Sequence, residues 1–154
     1  MPYVGIPELR RSFATWYKKW YGVELNPNTE IQPLIGSKEG ILHVTLAFVN
    51  PGEQVLVPNP GYPTYTSLSK ILGAEVINYN LKEENGWMPD FDELEKMDMN
   101  RVKLMWTNYP NMPTGANATP ELYAKLVDFA HRKDIVIVND NPYSFILNDH
   151  PLSI

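Results

Sequence analysis

IVIVNDNPY, residues 135–143, decides how this chain is read. Ile135, Val136, Ile137 and Val138 follow one another with no polar residue between them. A strand with one wet face alternates apolar and polar residues. An unbroken apolar run belongs to a strand covered on both faces, as in a parallel sheet between helix layers. The run stops at Asn139 and the acid Asp140, with Tyr143 three residues on. In open α/β folds ligands gather outside the carboxyl ends of the strands, so Asp140 stands where a carboxylate could face a cationic ring nitrogen. A second run, VKLMWT at 102–107, ends in the same way on NYPNMPTG at 108–115.

Working outward, helical and strand patterns alternate. Leu9, Phe13, Trp16, Tyr17 and Trp20 recur at helical spacing over 7–21, and Gly22 closes that helix. Residues 31–35 read as a short strand, Ser37 opens a helix through Val49, and Asn50, Pro51 and Gly52 close it. Strands are then expected at 54–57, 75–79, 102–107 and 135–139, with helices at 62–72, 91–97 and 120–133 between and before them. Strands separated by helices indicate an α/β fold: three αβα layers, with a mostly parallel sheet covered on both faces. One domain is expected over 1–154, with residues 1–29 forming an N-terminal helix and loop and 30–154 an α/β core.

The 154 residues suffice for one ordinary hydrophobic core, and 44% hydrophobic with 20% charged residues is a globular composition. A net charge of −5 without long charge blocks speaks against general nucleic-acid or anionic-membrane binding. No cysteine occurs, which excludes disulfides and thiolate metal sites, and His43, His131 and His150 lack metal-ligand spacing. No apolar run approaches the ~20 residues of a membrane-spanning helix, and no basic-then-apolar leader opens the chain. A cytoplasmic protein is expected. The chain opens just before an established helix and closes on Leu152, Ser153 and Ile154 without a stop signal, so a piece of a longer protein is expected.

Candidate chemistry falls at the turns. At Gly36, Ser37 and Lys38 a strand is expected to give way to a helix, whose free N–H groups and dipole suit an anion, beside a hydroxyl and an ammonium. The plainer alternative is a serine N-cap with a solvated lysine. Tyr62, in PNPGYPTY at 58–65, can lie flat on an electron-poor ring or anchor a proline-rich loop. Asp140 can hold a ring nitrogen or cap the turn before Pro142. Tyr143 is a hydroxyl donor or a partly buried core tyrosine.

Taken together, LIGSKEGI at 34–41, PNPGYPTY, NYPNMPTG and NDNPY resemble, in that order, the cofactor-binding motifs of pyridoxal 5'-phosphate (PLP) aminotransferases, class I/II of the aspartate aminotransferase superfamily, fold type I. The resemblance implies that Gly36, Ser37 and Lys38 contact the PLP phosphate and that Tyr62 stacks on the pyridine ring. It implies that Asp140 keeps the ring nitrogen protonated and that Tyr143 donates to the phenolic oxygen. One position departs from the family: its Asn-Pro-Thr-Gly is here Met112-Pro113-Thr114-Gly115, and a thioether donates no hydrogen bond. Asn111, one residue earlier, is the candidate to take over that role, with Tyr143 acting alone as the alternative.

No lysine follows Lys133, so the Schiff-base lysine and the substrate-binding arginine of such an enzyme are expected beyond Ile154. No catalytic residue is therefore assigned within the chain. The implied activity of the whole protein is transfer of an amino group between an amino acid and a 2-oxo acid, in a homodimer. The alternatives are a non-catalytic aminotransferase-like sensor domain of a transcription regulator and a carbon–sulfur lyase on the same scaffold.

Overall fold

The computed structural model describes residues 4–146, 148 and 150–154; Met1 and Pro2, which open the chain ahead of its first helix, lie outside them. The elements are α1 (Pro7–Tyr21), α2 (Ser37–Phe48), β1 (Gln54–Asn59), α3 (Pro63–Ile71), β2 (Glu75–Asn80), α4 (Phe91–Lys96), β3 (Val102–Thr107), α5 (Pro120–Lys133) and β4 (Val136–Asn139). All strand pairs are parallel, in the order β2-β1-β3-β4. Gln54 to Asn59 pair with Glu75 to Asn80, and Leu104 to Thr107 with Val136 to Asn139, which aligns the carboxyl ends of neighbouring strands.

The apolar runs of β1 and β3 have the cause the sequence suggested, whereas β4, expected to be buried on both faces, is an edge strand whose Val136, Ile137 and Val138 are only half-buried. In β1, Leu56 faces one side with Met105 of β3, against Leu126 and Phe129 of α5 and Leu94 of α4. Val55 and Val57 face the other side with Leu104 and Trp106, against Ile41 of α2 and Tyr65 of α3. Both faces are dry, so neither set of alternate residues needs to be polar. The three αβα layers are observed.

Helix ends follow local chemistry. Thr119 caps α5 by accepting from Leu122 N at 3.1 Å, and Pro120 occupies the first turn, where no N–H is needed. Asp90 caps α4 through Asp92 N and Glu93 N. Gly22 at φ 70° closes α1.

Residues 31–35 correct the sequence reading: they form no strand. Pro33 has no N–H to offer a ladder, no strand among the described residues pairs with this stretch, and Ile35 is 99% exposed. Boundaries elsewhere differ by small margins. β1 continues through Pro58 and Asn59, α2 ends at Phe48, and Tyr62 is the N-cap of α3 rather than its first residue.

Candidate active site

Three strand ends and one helix start converge on a pocket of about 160 Å³ lined by Ser37, Tyr62, Tyr65, Asn108, Met112, Asp140, Pro142 and Tyr143. That is close to the ~150 Å³ of a cavity that holds one benzene-sized ring, here with an acid, an amide and hydroxyls in the lining. A larger cavity of about 560 Å³ lies between α1 and the 23–34 loop. Apolar side chains such as Phe13, Val23, Leu25 and Ile31 dominate its wall, and its lining includes none of Tyr62, Tyr65, Asp140 and Tyr143. The chemistry sits in the smaller one.

Asp140 follows β4 directly, and its N–H donates to Thr107 O at 2.9 Å, which carries the ladder one residue past the strand. Its Oδ2 accepts from the Tyr65 hydroxyl at 2.8 Å. Oδ1 has no hydrogen-bond partner among the described residues. The acid is thus held by one oxygen and offers the other to the pocket. Burial, first, and the adjacent Asp140 carboxylate, second, push the Tyr65 phenol far above its ordinary range, so it stays a donor across physiological pH.

Tyr65 is itself fixed. Fully buried, it stacks on Trp106 with ring centroids 5.0 Å apart and planes 5° from parallel. Tyr62 meets Tyr65 edge-on, centroids 5.6 Å apart. Gly61 lets the loop before α3 turn this tightly: a Cβ there would come within 2.4 Å of the Pro58 carbonyl oxygen.

Beside the acid, the Asn108 carboxamide donates from Nδ2 to Asp140 O at 2.7 Å and accepts at Oδ1 from Met112 N at 2.7 Å. Asn139 answers from the other strand, accepting from Tyr109 N at 3.2 Å and from the Thr107 hydroxyl at 3.1 Å.

Of the residues singled out in the sequence, Ser37, Tyr62, Asp140 and Tyr143 share this pocket. Gly36 is the N-cap of α2 and Lys38 stands on its first turn, both exposed and outside the lining. The N–H groups of Ser37 and Lys38 make no hydrogen bond among the described residues, whereas Glu39 Oε2 already accepts from Ile35 N at 2.8 Å. Asn111 lines a neighbouring pocket of about 310 Å³ that shares Met112 and Tyr143 with the first. Its Oδ1 accepts from the Thr114 hydroxyl at 2.7 Å, inside its own turn, and its Nδ2 is buried without a partner among the described residues. Met112 lines both pockets.

Sequence reasoning passed over Tyr65 and Asn108. Both lie inside quoted motifs, and Tyr65 follows Tyr62 by one helical turn, the spacing that places two side chains on one face. Their partners, 75 and 32 residues away, leave no local trace.

A pocket at the carboxyl ends of parallel strands, with a fixed acid, an aromatic wall, hydroxyls and a helix N-terminus, defines a binding domain for an anionic aromatic cofactor. The aminotransferase class I and II family model matches residues 1–152, and the chain belongs to that family, whose members use PLP. It is 45% identical over 145 residues to an LL-diaminopimelate aminotransferase of Dehalococcoides mccartyi, covering 94% of this chain and 37% of that protein. It is 49% identical over 144 residues to the enzyme of the same name from Aquifex aeolicus, again 94% of this chain and 37% of that protein. The substrate-bound structure of BacF from Bacillus subtilis superposes with a TM-score of 0.91 at 41% identity, covering 99% of this chain and 39% of that one. The chain thus spans well under half the length of these relatives. No helix among the described residues is long and apolar enough to cross a membrane.

Proposed function

We propose that the protein containing this chain is a PLP-dependent aminotransferase, moving an amino group between an amino acid and a 2-oxo acid, and that residues 30–154 form its cofactor cradle. The observation that carries this reading is the Asp140 carboxylate, held by Tyr65 through Oδ2 at 2.8 Å with Oδ1 left for a ring N–H. When bound, PLP supplies the electron sink for breaking a bond at the substrate α-carbon. The donor set fits it. Asp140 pairs with the ring nitrogen in its protonated form, where the opposite charge favours protonation. Tyr62 covers the ring. Tyr143 donates its hydroxyl to the phenolic oxygen, and the start of α2, with Gly36, Ser37 and Lys38, receives the phosphate. Asn111 is the further candidate donor, through the Nδ2 that has no partner among the described residues while Oδ1 holds the Thr114 hydroxyl.

The amine that bonds PLP covalently is assigned to a lysine outside residues 1–154, since the pocket lining contains none. The chain by itself is accordingly inactive. We read the whole protein further as a cytoplasmic homodimer acting in amino-acid metabolism. The resemblance supports this; the exposed aromatic face of α1 (Phe13, Trp16 and Trp20) is a surface for a second copy or for the rest of the protein to cover. The test is to purify the complete protein, follow PLP uptake by visible absorbance, and assay transfer from a donor panel that includes LL-diaminopimelate to 2-oxoglutarate. Formation of glutamate supports the reading. Uptake of PLP with a thioether amino acid split into thiol, ammonia and a 2-oxo acid, and with no glutamate formed, assigns a lyase instead, and no uptake at all overturns it.

A further inference from the structure

Asn108 is 2% exposed and sits on the first residue after β3, at the floor of the pocket. The two polar atoms of its carboxamide serve different segments: Nδ2 holds the carbonyl of Asp140 at 2.7 Å, and Oδ1 holds the N–H of Met112 at 2.7 Å. Because one partner is a backbone acceptor and the other a backbone donor, the amide has one orientation. Among the described residues no other hydrogen bond joins the 110–115 turn to β4 or to residues 140–146. The Asp140 backbone is thereby pinned twice to the end of β3, by its own N–H to Thr107 O at 2.9 Å and by Asn108 to its carbonyl. Met112, which also lines the pocket, is held by the same side chain.

We infer that Asn108 is a positioning residue, a carboxamide clasp that sets the spacing between the acid at the end of β4 and the Met112 turn. The inference rests on the functional reading above. The clasp needs one donor and one acceptor at equal reach from one Cβ, which only asparagine provides. Aspartate has the same shape but sets a second acceptor against the Asp140 carbonyl. Serine is too short to span both partners.

The test uses the complete protein loaded with PLP, and compares Asn108→Asp and Asn108→Ser with Phe129→Leu. Phe129 is buried on the opposite face of the sheet from Tyr65 and Trp106, so its variant lowers Tm without touching the pocket. Loss of one or two buried hydrogen bonds weakens binding by roughly 10-fold to 100-fold. The expected result is a PLP dissociation constant raised by that factor in both Asn108 variants, with a shifted pH midpoint in the absorbance of the bound cofactor. Phe129→Leu should keep both at wild-type values at a comparable loss of Tm. If Asn108→Asp does not fold, Asn108→Ser, which introduces no charge, decides alone. Asn108 variants that lose Tm but keep the wild-type dissociation constant and pH midpoint overturn the inference and leave the functional reading standing. A wild-type protein that takes up no PLP overturns that reading, and the inference with it.

Discussion

Helices α1 and α5 are alike as sequences and unlike as parts of the fold. Each opens on a proline, carries an acid in its first turn and bases in its last, and bears an apolar stripe. Yet α5 buries Leu122, Tyr123, Leu126, Phe129 and Ala130, whereas α1 buries Arg10 alone and leaves Phe13, Trp16 and Trp20 at 42%, 38% and 45% exposure. The stripe on α1 meets mainly itself and Phe145, whose ring lies 5.0 Å from Trp16 and 5.1 Å from Trp20. An amphipathic pattern therefore says that a helix forms and which face wants cover. It does not say what supplies the cover. For α5 the answer is local: it lies between β3 and β4, and a right-handed crossover returns it onto their sheet. For α1, the stretch 22–36 of irregular chain separates it from the next element.

The sharpest way to break this comparison is Phe129→Ala. The ring is fully buried beneath α5, so unfolding by urea should show a loss of roughly 3–5 kcal/mol. A loss below about 1 kcal/mol would mean that α5 is no better packed than α1.

Asp140→Asn separates the site from the packing that holds it. The fold should survive, because the backbone bonds at residue 140 do not involve the carboxylate. In the complete enzyme the transfer rate should fall by tens to thousands of fold, from a loss of roughly 2–5 kcal/mol. Rates within about twofold of wild type, well under 1 kcal/mol, would remove Asp140 from the site.

Alkaline pH probes the buried tyrosines of the sheet region. Burial raises the phenols of Tyr65, Tyr79, Tyr109 and Tyr123, the last to about 12. Above pH ~10 the unfolded chain loses these protons while the folded chain keeps them. The unfolded state then binds fewer protons, so stability falls as pH rises. Tyr123 contributes to this between pH ~10 and about 12, by up to ~1.4 kcal/mol per pH unit. Tyr123→Phe should flatten the stability curve over that window and leave its slope near pH 7 unchanged, apart from a constant offset for the lost bond from Asn139 Nδ2, as followed by urea midpoints. An unaltered slope would show that Tyr123 is open to solvent.

The smallest effect is expected for Trp20→Ala, about 1 kcal/mol or less in this chain, from edge contacts with Phe145. The complete protein sharpens the point. If the same substitution costs several-fold more there, or dissociates a dimer by sedimentation, another surface covers α1. Equal small costs in both would leave α1 a solvent-facing arm.

Local sequence alone determined the helices, the four parallel strands and the placing of Asp140 and Tyr143 just beyond β4, because those depend on periodicity, caps and the two dry faces of a covered sheet. Residues 31–35 escaped it, since a strand exists only where a partner offers its ladder, and no partner is written in the run itself. Tertiary structure alone decided that Tyr65 closes on Asp140 across 75 residues, that Asn108 ties Asp140 to Met112, and that Asn111 spends its carbonyl on Thr114. Hydrogen bonds between distant segments depend on how strand ends are brought into register, and register is a property of the assembled sheet.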